Sequence, residues 1–134
     1  MATVTTTIVR DFKDLDLNFT IHPVKKDINK NIGTMAIVNS IKNLILTNHY
    51  EKPFHPELGS NVRRLLFDNL DTVTAAAVES EIRTTITNFE PRVNITNIQV
   101  TPDTDNNGFK VYLEFTVINL TQPVTINFFL ERIR

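Results

Sequence analysis

Apolar residues in the last third of the chain recur at every second position. Ile98 and Val100, then Phe109, Val111, Leu113, Phe115 and Val117, then Val124, Ile126, Phe128 and Leu130 all obey this spacing, which is that of strands with one buried face and one wet face. The intervening residues, 101–108 and 119–123, carry Asp, Asn, Gly and Pro and are too short for helical crossovers. Three strands in an antiparallel meander follow. Ile95 and Ile98 are out of phase, which predicts a bulge or a late start to the first strand. The last strand nearly reaches Arg134 and is predicted to lie at a sheet edge, where it could accept a strand from another chain.

Upstream of the sheet the spacing becomes helical. After Gly33-Thr34, the residues Ile37, Ile41, Leu44 and Ile45 fall on one face, giving a first amphipathic helix. A loop with two prolines and a glycine, Glu51 to Gly59, follows. Ser60 is the expected N-cap of a short helix carrying Val62, Leu65 and Leu66. Thr74 is the expected cap of a longer helix with Val78, Ile82, Ile86 and Phe89 as its stripe and Glu79 paired to Arg83. Pro91 stops that helix and biases Glu90 towards an extended backbone leading directly into a strand. Arg92 would then share a face with Glu90. Near the N-terminus, Leu15, Leu17, Phe19 and Ile21 alternate as one more half-buried strand.

The fold class is therefore α+β: an N-terminal strand and about three helices packed on a C-terminal three-stranded antiparallel sheet. With 134 residues, against about 150 for a typical domain, one core is expected. The organisation is a flexible tail over residues 1–14 and a single domain over 15–134. The chain has 41% hydrophobic residues, enough to stabilise such a core without staples. Fourteen basic and fifteen acidic residues, formally −1 at pH 7, supply no field that would gather nucleic acid or anionic membrane. Neither partner is expected. The absence of cysteine removes disulfides, thiolate nucleophiles and cysteine-ligated zinc. The N-terminal residues lack the basic start and apolar run of a signal peptide, so folding in the cytosol is expected.

Candidate chemistry is sparse. Asp103-Thr104-Asp105-Asn106-Asn107-Gly108 with Glu114 matches the spacing of a helix-flanked calcium loop. Strands flank it instead, Glu114 falls within one of them, and the same residues suit a hairpin turn. Glu57, Glu90 and Asp68 could be nominated as a hydrolytic carboxylate pair. A Glu90 paired to Arg92 has a lowered pKa, the wrong direction for a general acid. His22, His49 and His55 with Glu57 lack the close spacing of a zinc site. Gly33, Gly59 and Gly108 are too dispersed for a phosphate loop, and Ser40, Ser60 and Ser80 sit in or beside helices without a nucleophile elbow. No catalytic residue, metal or cofactor is predicted.

Two blocks resemble a known family. Phe89-Glu90-Pro91-Arg92-Val93, preceded by a helix and followed by three strands, is similar to the signature of the lysozyme-like baseplate wedge family of contractile-tail phages, which has relatives in type VI secretion. Pro53-Phe54-His55-Pro56-Glu57-Leu58-Gly59 followed by Leu65-Leu66-Phe67-Asp68 resembles that family's other recurrent stretch.

The resemblance implies a structural virion protein of the tail baseplate, assembled in the host cytoplasm, that binds the helical bundle of neighbouring wedge proteins and initiates the sheath. It implies that Glu90, Pro91 and Arg92 meet that bundle. The C-terminal strand, marked by Val124, Ile126, Phe128 and Leu130, would meet tail sheath subunits. The alternatives are a peptidoglycan hydrolase, as the family's name suggests, and a regulatory adapter of the same fold. Whether Glu90 and Arg92 face a partner or each other is open at this level.

Overall fold

The computed structural model describes residues 13–15, 21, 23–27, 30–118 and 120–132. The chain divides into two units, Met1–Ile37 and Val38–Arg134. In the first, β1 (Lys13–Leu15) pairs antiparallel with β2 (Lys30–Ile32). An N-terminal strand is thus present and meets the expected span of residues 15–21 at Leu15; residues 16–20 fall outside the described residues. Both Leu15 and Ile21 are exposed, so neither end lies in a core; Leu17 and Phe19 fall outside the described residues. So does the expected tail, apart from Lys13 and Asp14.

Helix α1 (Thr34–Leu46) forms where the spacing predicts, with Ile37, Ile41, Leu44 and Ile45 all buried. The helix α2 (Val62–Leu65) follows Asn61 at the N-cap position, which makes no side-chain cap. The expected cap, Ser60, is buried and donates its hydroxyl to the Ile45 carbonyl at 2.7 Å. It ties the loop to α1, and the Ser60 Oγ also accepts the Val62 N–H at 3.4 Å.

Helix α3 (Thr72–Phe89) starts earlier than expected because Asp71 caps it, accepting the Thr74 N–H at 2.7 Å. A carboxylate in extended backbone satisfies an otherwise unpaired helical donor better than a threonine already inside the helix. Thr74 is instead a buried helical residue, and Val78, Ile82 and Ile86 form the buried stripe. Glu79 and Arg83 pair at 3.8 Å as expected.

The sheet is the predicted meander, β3 (Val93–Asp103), β4 (Gly108–Val117) and β5 (Pro123–Glu131), in the order β3-β4-β5. Helix α3 packs against β3, and α2 against α3. Pairing shifts between Ile95 and Asn97, leaving Thr96 as the extra residue of a bulge. That explains the phase break. Phe115 lies opposite Ile95 and Val124, Leu113 opposite Ile98 and Ile126, and Val111 opposite Val100 and Phe128. The fully buried Phe109, Leu113 and Phe115 each contribute about 1.5–3 kcal/mol by burial.

Candidate docking site

The corner between α3 and β3 begins with Glu90, whose N–H still bonds to the Ile86 carbonyl at 2.9 Å. Helical bonding cannot continue through Pro91, which has no N–H to give. The backbone does not run extended from there. It closes a tight turn in which the Val93 N–H bonds to the Glu90 carbonyl at 3.2 Å. The turn, and not strand periodicity, brings Arg92 back to Glu90.

Glu90 is 2% exposed. Its Oε1 accepts from Arg92 Nε, and its Oε2 accepts from Arg92 Nη2 at 2.7 Å and from Ser40 Oγ at 2.7 Å. Burial alone would push this carboxyl up, but the bonds from Arg92 and Ser40 and the guanidinium charge outweigh it and hold it below its ordinary value. The pair therefore faces inward on the Glu90 side. Pro91 is exposed and the Arg92 side chain is 35% exposed, so these two carry the corner's solvent face. Ser40 was not legible as a member, because it lies among the polar residues Asn39, Lys42 and Asn43 of an amphipathic helix.

Strand β5 pairs with β4, and among the described residues no strand lies on its other side. The side chains of Ile126 and Leu130 are buried and those of Val124 and Phe128 half-buried. These four therefore serve the core with their side chains. The Arg132 N–H bonds to the Asn107 carbonyl at 3.0 Å. Antiparallel alternation then turns the even-numbered backbone groups of β5 towards β4 and the odd-numbered ones outward. The groups available at the edge belong to Thr125, Asn127, Phe129 and Glu131, whose side chains are exposed. Alternation identifies the inward residues, but only the register says which N–H groups are open.

The candidate chemistry resolves locally. Asp103 closes a hairpin turn, with Oδ1 accepting from the N–H groups of Asp105 and Asn106 and Oδ2 from Asn106 Nδ2 and Lys110 Nζ, the last at 2.6 Å. Those bonds lower the Asp103 carboxyl to about 2, with Lys110 the largest cause. Glu57 is also lowered, chiefly by a backbone hydrogen bond and then by His55 Nδ1 at 3.3 Å. Neither Glu57 nor Glu90 is thus a raised-pKa acid. His49 Nδ1 sits 3.1 Å from the Glu57 carbonyl; His22 falls outside the described residues. No group of three or more metal-ligating side chains occurs among the described residues. No helix among them is long and apolar enough to cross a membrane.

Fold and site together define an α+β module: a salt-bridged helix-to-strand corner joined to a sheet whose β5 edge is unpaired among the described residues. The chain belongs to the family described as baseplate wedge protein gp25, whose model matches residues 33–120. It is 34% identical over 94 residues to baseplate wedge protein gp25 of Enterobacteria phage T4, covering 70% of this chain and 71% of that protein. The resemblance drawn from residues 53–68 and 89–93 thus holds, and the family is one of structural baseplate proteins of contractile tails.

The fold recurs in solved structures. The anti-feeding prophage baseplate contains a chain with TM-score 0.71 at 17% identity, covering 84% of this chain and 90% of that one. A protein assigned as a tail lysozyme from Geobacter sulfurreducens gives 0.68 at 18%, covering 73% and 89%. A chain in the postcontracted pyocin R2 baseplate gives 0.61 at 18%, covering 79% and 98%.

Proposed function

We propose that the chain is a sheath-initiating component of a contractile-tail baseplate, held to a helical bundle of wedge proteins by its Pro91–Arg92 corner and offering β5 to sheath subunits. The observation that carries this reading is the parity of β5. Its even residues seal the core while its odd residues leave a row of backbone donors and acceptors at the edge, so a foreign strand can be added without disturbing the fold. Glu90 then acts as a positioning residue, fixing the Arg92 fork on a proline-stiffened turn at low ordering cost. No hydrolytic step is assigned, because Glu57 and Glu90 are both held in their charged form and a general acid must hold a proton.

Co-expression with the sheath and wedge proteins of the same tail tests it. Asn127→Pro removes an outward N–H but no β4 bond, a placement that edge strands tolerate. It is expected to leave the melting temperature nearly unchanged and to abolish sheath capture. Arg92→Lys keeps the charge and loses the fork, and should weaken wedge capture alone. Undiminished sheath capture by Asn127→Pro would sink the proposal for β5.

A further inference from the structure

A groove of about 770 Å³ opens between the loop following α1 and the outer face of α2. Tyr50 and Phe54 have positive φ, 67° and 68°, and the two residues are 85% and 96% exposed. Bulky side chains avoid that backbone region at a cost of about 1–3 kcal/mol each, so the rest of the loop must hold it. Tyr50 N–H bonds to the Pro56 carbonyl at 2.9 Å, Ser60 N–H to the Thr47 carbonyl at 2.8 Å, and Gly59 lies directly against the backbone of Thr47 and Asn48. The loop is preorganised, and it holds two aromatic side chains in water.

The charges around the groove are unevenly matched. Glu51 accepts the Asn48 N–H at 2.9 Å, Glu81 accepts the Asn61 N–H at 2.9 Å, and Glu57 faces His55. These carboxylates keep their charge but are held by bonds within the protein, and none of them pairs with an arginine of α2. Arg63 and Arg64 are exposed on α2, line the groove, and form no ion pair with another described residue. Phe67, also exposed, adjoins them.

We infer that this groove is a separate docking surface for an acidic segment of a partner protein, with an apolar side chain seated between Tyr50 and Phe67 and carboxylates on Arg63 and Arg64. Arginine forks match carboxylates bidentately, and exposed aromatics supply contact area at low entropic cost. The N-terminal residues of this chain are no match, since residues 1–12 carry one acidic residue, Asp11, beside Arg10. A nucleic-acid strand fits less well than a peptide, because the groove lining holds two arginines and no lysine, too few cations to follow a run of phosphates.

The test uses the full chain and three fluorescein-labelled peptides of matched length, built from Glu, Leu and Phe, from Lys, Leu and Phe, or from Gly and Ser, beside a single-stranded oligonucleotide. The acidic peptide is expected to bind more tightly than the other probes, to weaken with added salt, and to shift amide resonances between residues 48 and 67. Arg63→Glu with Arg64→Glu should weaken it about tenfold, and Tyr50→Ala should weaken it without the change in salt dependence. These residues are exposed, so unchanged melting confirms that the variants fold. Absence of binding, equal binding by the double variant, or preference for the basic peptide or the oligonucleotide would each overturn the inference, as would concentration-dependent self-association blocked by the double variant. Because the isolated chain is used, failure here leaves the reading of β5 untouched.

Discussion

Arg92 grips both carboxylate oxygens of Glu90 from two residues away, and Ser40 on α1 bonds to one of the same oxygens. The two partners differ in exposure, which makes the pair asymmetric: the Glu90 side chain is 3% exposed and that of Arg92 35%.

Removing the guanidinium therefore strands a buried carboxylate, whereas removing the carboxylate leaves a cation that water can reach. Arg92→Ala is expected to cost about 3 kcal/mol or more, and Glu90→Gln about 1–2 kcal/mol. Ser40→Ala should cost about 1 kcal/mol. Urea denaturation of the three variants gives the ranking; equal costs for Arg92→Ala and Glu90→Gln would contradict the asymmetry.

Acid stability should report on the β3-β4 turn. The folded Asp103 carboxyl is lowered from 3.8 to about 2, so the folded form binds its proton later than the unfolded one. The stabilisation is fully present above the unfolded value and is lost as pH falls from about 4 to about 2. Lys110→Met removes the largest cause of the shift. The midpoint of urea unfolding should fall less steeply over that interval in the variant than in the parent chain.

Gly59 has φ +129°, and a Cβ there would meet the Thr47 carbonyl oxygen at 2.6 Å and the Asn48 carbonyl carbon at 2.9 Å. These are backbone atoms and cannot swing aside. Gly33, at φ +67°, has open space around the same position. Gly33→Ala is expected to cost about 1–2 kcal/mol from backbone strain alone, and Gly59→Ala clearly more. Thermal melting of the two single variants decides it.

Proline scanning along β5 should show a two-residue rhythm. Phe128→Pro removes a bond to β4 and leaves the Val111 carbonyl unpaired beneath the sheet, a loss of about 1–3 kcal/mol before any change in packing. Asn127→Pro touches only the open edge. Circular dichroism melts should separate the two by several degrees.

Alternation over residues 98–130 was enough to specify the meander and its order, because a strand buried on one face writes its pairing into every second residue, while the phase break between Ile95 and Ile98 left a bulge and a late strand start both open. The helix stripe from Val78 to Ile86 was equally legible. Caps were less so: Thr74 and Asp71 are both acceptable cap residues, and backbone angles alone separate them. The corner was half legible. Proline announced the stop, but the turn that folds Arg92 onto Glu90 and the arrival of Ser40 from 50 residues away are tertiary facts. The groove was invisible because Arg63, Arg64 and Phe67 read as an ordinary solvated face until the loop is placed beside them.

The bulge at Thr96 acts as a shim. Without Thr96, Ile95 and Asn97 would follow one another opposite Phe115 and Glu114, and a regular ladder would close with the same core residues inside. What would change is the extra coiling that a bulge imposes, and with it the angle at which β3 leaves the Arg92 corner. A one-residue deletion there should leave a well-folded protein whose two contact surfaces are aimed differently, a lesion of assembly geometry and not of stability.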